Sequence, residues 1–125
     1  MSIGLRKLHH VQITVPAEKE ALCRHFYGVL LGLEEFAKPA ALEKNGGAWY
    51  RISDFELHVS LEDGVGDNGV SRRHLCYFVE DLKTAETWLA SNGVEIVADK
   101  QPVDGWVRFY VRDHGNNYIE IAQEI

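Results

Sequence analysis

The chain has 125 residues, enough for one domain with an apolar core, and its 46% hydrophobic and 26% charged content is that of an ordinary globular protein. A net charge of −6, with no basic run longer than a pair such as Arg72-Arg73, excludes the electrostatic footprint of a nucleic-acid or anionic-membrane binder. No apolar stretch reaches the roughly 18 residues that span a bilayer, and MSIGLRKLHH at the start has no signal-peptide core, so no membrane partner and a cytoplasmic location are expected.

LHHVQITV, residues 8–15, alternates as a strand does, and Pro16 ends it and suits the first turn of a helix. AEKEALCRHFYGVLLG then carries Ala21, Leu22, Phe26, Val29 and Leu30 at helical spacing, with Gly32 as the C-terminal cap. LEEFA predicts a short strand. After a turn at Asn45-Gly46-Gly47, AWYRIS and FELHVSLE predict two more. EDGVGDNGVS, residues 62–71, reads as a linker. The order then returns. RRHLCYFV predicts a strand, and DLKTAETWLASNG a helix with Asp81 as N-cap and Gly93 past its end. VEIVA predicts a strand, Pro102 to Gly105 a turn, and WVRFYVRD and NYIEIAQE two final strands. Cys23 falls in the first helix and Cys76 in a strand, without CxxC spacing, so both are expected to be buried free thiols.

The two halves repeat. Gly32 and Gly93, each ending a helix, are 61 residues apart, and His10 and His74, each near the start of a first strand, are 64 apart. This predicts an α+β fold of two tandem βαβββ modules, about 8–61 and 72–124, within one domain spanning 1–125. The sheet is expected to be cupped and mostly antiparallel, with helices on its outer face.

Alternation assigns the faces. Val11, Ile13 and Val15 form one set of the first strand, and His10, Gln12 and Thr14 the other. Glu56, His58 and Ser60 oppose Phe55, Leu57, Val59 and Leu61. His74, Cys76 and Phe78 oppose Leu75, Tyr77 and Val79, and Glu120 opposes Ile119 and Ile121. A lone histidine on an outer sheet face is ordinarily only solvated. Here His10, His58, His74 and Glu120 each lie opposite the apolar set of a strand related by the repeat, so one concavity would receive all four. Imidazole and carboxylate are the ligands of a divalent metal such as Zn, Ni, Mn or Fe(II). His9 falls at the strand's frayed end, on the helix side, and is expected to be an edge residue.

The stretches LHHVQITVP, HFYGVLLGLEE, ELHVSLED, RRHLCYFVEDL and RFYVRDHGNNYIEIAQ resemble the vicinal oxygen chelate superfamily, which includes glyoxalase I, extradiol dioxygenases, and fosfomycin- and bleomycin-resistance proteins. The resemblance implies paired βαβββ modules around a divalent metal that substrates chelate through adjacent oxygens. It carries the first-strand ligands onto His10 and His74 and a last-strand ligand onto Glu120. His58 stands where glyoxalase I enzymes have a carboxylate or amide. Glu120 is then the one carboxylate among the four positions, with Glu56 two residues before His58, and the chain is short around 37–48. Both features disfavour a glutathione-hemithioacetal isomerase. Gln12 replaces the threonine of the fosfomycin-resistance proteins.

The expected activity is that of a glyoxalase-like, metal-dependent enzyme on a small oxygenated substrate, with Glu120 or a metal-bound water transferring a proton. The alternatives are a drug-sequestering protein of the bleomycin-resistance type, a fosfomycin-resistance-like transferase or a ring-cleaving dioxygenase. A homodimer is expected, its site lying within one chain or across two. Trp49, Tyr50, Trp106, Phe109 and Tyr110 are expected mainly to pack the core. Arg51, Arg108 and Arg112 are candidates for an anionic substrate or for surface ion pairs.

Overall fold

The alternating segments become eight strands in the computed structural model, which describes residues 1–65 and 68–125. Strands β1 (His10–Val15), β2 (Glu34–Phe36), β3 (Ala48–Ile52) and β4 (Phe55–Leu61) form one sheet in the order β1-β4-β3-β2. Strands β5 (His74–Phe78), β6 (Val97–Ala98), β7 (Trp106–Arg112) and β8 (Tyr118–Glu124) form a second sheet in the order β5-β8-β7-β6. In each sheet the first and last strands run parallel and the other pairs antiparallel. The repeat read from the sequence is therefore a repeat of topology. Of the linker, Gly66 and Asp67 lie outside the described residues.

Helix α2 (Leu82–Ser91) begins as expected, with the Asp81 carboxylate accepting from the Thr84 N–H at 2.8 Å. The first helical run differs from expectation. It passes from a 3-10 turn (Ala17–Lys19) through α1 (Glu20–His25) into a π-helical turn (Phe26–Leu30). Its buried stripe is Cys23, Phe26, Tyr27 and Leu30, while Leu22 and Val29 are 46% and 56% exposed. The core face is rotated from the one that Leu22 and Val29 predicted, because Cys23 and Tyr27 complete an i, i+3, i+4, i+7 set. Gly32 and Gly93 end their helices at φ +72° and +82°, as a left-handed cap requires.

VEIVA yields only the two-residue β6. After Ala98 the Asp99 carboxylate accepts from the Gln101 N–H and from Arg108, which turns the chain away from the sheet.

The core is drawn from both modules: Val15, Phe26, Tyr27, Tyr50 and Leu57 from the first, and Leu89, Phe109, Val111, Ile119 and Ile121 from the second. Polar ties cross between them. The Trp88 indole N–H donates to the Leu30 carbonyl at 2.9 Å, and the buried Tyr27 hydroxyl donates to Asp113 at 2.5 Å. Asp113 also accepts from the backbone N–H groups of Gly115 and Asn117 and from the Asn117 amide, so the buried carboxylate is satisfied and fixes the β7–β8 turn. Burial pushes the Cys23 thiol and the Tyr50 hydroxyl each up to about 12. Among the described residues no helix is long and apolar enough to cross a membrane.

Candidate metal centre

Register explains why the four candidate residues form two pairs. In the first sheet His10 is the parallel partner of Glu56 and Gln12 that of His58. In the second, His74 is the partner of Tyr118 and Cys76 that of Glu120. In both modules the last-strand candidate thus sits two residues beyond the partner of the first-strand histidine, on the same face. His10 and His58 meet as stacked rings, with centroids 4.2 Å apart and planes 17° apart. His74 and Glu120 meet through Nε2 and Oε1 at 3.0 Å. Both pairs form, but the pairs do not join. Among the described residues no group of three or more His, Cys, Asp or Glu side chains is placed to hold a metal. β1 and β5, which carry His10 and His74, are each an outer edge of their sheet.

The second-module pair is held firmly. Glu120 is 4% exposed, and its Oε2 accepts from the Trp106 indole N–H at 3.2 Å and faces Arg108 Nη1 at 3.5 Å. Arg108 is itself fixed by Asp99 at 3.1 Å and by the Gln101 carbonyl at 2.9 Å. His74 Nδ1 lies 2.9 Å from the Arg72 carbonyl oxygen, which can only accept, so Nδ1 carries the hydrogen. A neutral His74 then points a bare Nε2 at a carboxylate oxygen. Two acceptors at 3.0 Å require a positive species between them, a proton or a metal ion. That spacing also suits two donors at right angles around an ion with bonds of about 2.1 Å.

The first-module pair is arranged differently. His58, at 4% exposure, lies between His10 and the Trp49 ring, whose centroid is 3.7 Å away in a parallel stack. Its Nε2 donates to Glu56 at 2.9 Å, which leaves Nδ1 as the ligand atom. That hydrogen bond, helped by the charges of His9 and Arg51, holds the Glu56 carboxyl below the usual carboxylate range. His9, expected on the helix side, instead sets its Nδ1 2.8 Å from that of His10 and its Nε2 3.8 Å from Glu56. His9 precedes β1, so the alternation does not bind its side chain, and the imidazole turns to its polar neighbours. Parallel rings aim their lone pairs side by side, so ligation by both His10 and His58 requires one ring to turn.

Cys76, expected to be buried, is exposed, because β5 is an edge strand and its face with His74 and Phe78 is open. Its thiol bonds Glu120, and partial desolvation and that charge push it up to about 11. Trp49 and Trp106, expected mainly as core, face the candidate ligands, whereas Tyr50 and Phe109 are core. Arg51 covers the Phe36 ring at 3.8 Å. Arg112 donates to the carbonyls of Asn116 and Gly69 and covers Tyr118. A cavity of about 490 Å³ lies between β1 and β5, lined by Gln12, Thr14, Arg73, His74 and Tyr118 among others.

The family model for the Glyoxalase/Bleomycin resistance protein/Dioxygenase superfamily matches residues 7–121. No curated protein matches the sequence significantly. A crystal structure of a protein assigned to the glyoxalase family in Bacillus anthracis is 30% identical, with TM-score 0.87 over 100% of both chains. Lactoylglutathione lyase from Agrobacterium tumefaciens is 18% identical, with TM-score 0.69 over 94% of this chain and 92% of its own. The antibiotic-binding protein TnmS3 from a Streptomyces species is 17% identical, with TM-score 0.73 over 99% and 100%. The last two share the fold at similar distance while one is a lyase and the other a binder, so the fold alone does not select the chemistry.

Proposed function

The chain belongs to the Glyoxalase/Bleomycin resistance protein/Dioxygenase superfamily, and from that premise we propose that it is a divalent-metal-dependent enzyme acting on a small substrate with two adjacent oxygens, at a site completed by a second copy of the chain. The observation that carries this reading is His74. Its Nδ1–H is committed to a backbone carbonyl and its Nε2 is aimed at Glu120, the arrangement by which proteins orient a metal-binding imidazole. His10 and His58 would supply the other two donors, and four protein donors leave two positions of an octahedron for a bidentate substrate. When bound, the metal would polarise the substrate oxygens as a Lewis acid.

The chain's own residues do the rest. Glu120 is the one carboxylate among the four positions and is the group through which a substrate proton is taken up and returned. Trp106 and Arg108 fix its Oε2. Trp49 closes one face of His58 to water.

The test is metal content after purification without chelators, followed by melting with added Ni, Zn, Mn, Co or Fe(II). About one ion per chain and a melting point raised by several degrees are expected, both lost in His74→Ala. A metal-free protein that gains no stability from any of the five ions overturns the reading. The aromatic rings around the candidate ligands, Trp49, Trp106, Tyr110 and Tyr118, favour a second reading, sequestration of a small compound without chemistry. Ligand binding that survives both His10→Ala and His74→Ala would establish it.

A further inference from the structure

Next to His74, on the open face of the second sheet, lies a groove of about 350 Å³ whose lining includes Arg72, Asp99, Lys100, Arg108, Tyr110 and Tyr118. Three cations border it in a chain of net charge −6. The single carboxylate in its lining, Asp99, is taken by Arg108, and Arg108 in turn leans on Glu120. Among the described residues no carboxylate pairs with the side chains of Arg72 or Lys100, so both keep their full charge at the groove. Tyr110 and Tyr118 stack at 4.8 Å with planes 9° apart, with Arg108 over Tyr110 and Arg112 over Tyr118, and both rings meet His74 edge to face.

We propose that this groove receives an anionic group of the substrate, with Arg72 and Lys100 as its charge partners. The substrate is then a small compound that carries a carboxylate at one end and its adjacent oxygens at the other, near His74 and Glu120. Arg72 is well placed for this role. Its backbone carbonyl fixes the His74 ring and the residue borders the groove, so one residue serves both the anion and the metal ligand. Surface cations without internal partners contribute to selection and capture of anions, and their effect falls with salt.

This inference rests on the reading of the second-module face as a ligand site, and the experiment separates the two. Catechol and 3,4-dihydroxybenzoate share the same adjacent oxygens and differ by one carboxylate. Their affinities are measured by quenching of tryptophan fluorescence, in metal-free and metal-loaded protein, at low and high salt. The carboxylate compound is expected to bind about tenfold tighter at low salt in both forms. The preference is expected to shrink with salt and to vanish in Arg72→Ala/Lys100→Ala, whose melting point checks that the fold is intact. Equal affinities in the unaltered protein, a preference that survives in the double variant, or no binding of either compound would each overturn the proposal. A preference retained in a protein that takes up no metal upholds the groove and sinks the metal reading. A metal-loaded protein without the preference does the reverse.

Discussion

At the scale of single residues, Glu120 owes its usefulness to the groups behind it. One oxygen faces His74 and the other is held by the Trp106 indole, with Arg108 beyond. Supports of this kind commonly carry about 10- to 100-fold in metal affinity, because they fix both the orientation and the charge of the ligand. Trp106→Phe keeps the ring and removes the hydrogen-bond donor. It is expected to weaken metal binding by at least about tenfold in a chelator competition, with the melting point of the metal-free protein nearly unchanged. Equal affinity in the two proteins would mean that Arg108 alone holds the carboxylate. The pairing of His10 with His58 and of His74 with Glu120 was legible in the sequence, because a period of two and a repeat suffice to put them on one face. The supports were not legible. Alternation says which face Trp49 and Trp106 occupy, but not that a large ring reaches across to the next strand. Nor does it govern His9, which precedes the strand.

At the scale of elements, the two stacked rings of the first module depend on how β3 leaves its preceding turn. Gly47 has φ +76°, and a Cβ there would lie 2.2 Å from the Val59 carbonyl oxygen, which is backbone and cannot step aside. Its N–H is held by Glu20 of α1 at 2.5 Å, so the turn is tied to the helix as well as to β4. Gly47→Ala combines a disfavoured φ with a backbone clash and is expected to cost about 2 kcal/mol or more. The same shift would move Trp49, two residues on, off His58. A lowered urea midpoint together with an altered near-ultraviolet circular dichroism band tests this, and an unchanged midpoint would show that the turn opens freely. The sequence announced this element through Asn45-Gly46-Gly47, since paired glycines mark a turn. It misplaced the core stripe of α1, because hydropathy ranks Leu22 and Val29 above Cys23 and Tyr27. Only packing against the other module reverses that order.

At the scale of the whole molecule, two half-sites of two donors each sit on sheets whose ligand-bearing strands β1 and β5 are outer edges. The shared-site reading brings the first module of one chain to the second module of another, as a closed two-fold pair would allow. The two pairs can be removed separately. His10→Ala/His58→Ala spoils every first-module half, and His74→Ala/Glu120→Ala spoils every second-module half, so each variant alone is expected to bind no metal. Unfolded together and refolded as an equal mixture, half of the dimers contain one chain of each kind. Each mixed dimer then holds one whole site, formed from the intact first module of one chain and the intact second module of the other. The mixture is expected to recover about a quarter of the unaltered metal content. Sites built within single chains would recover none, and a chain that stays monomeric in sedimentation while binding metal fully would exclude the shared site altogether.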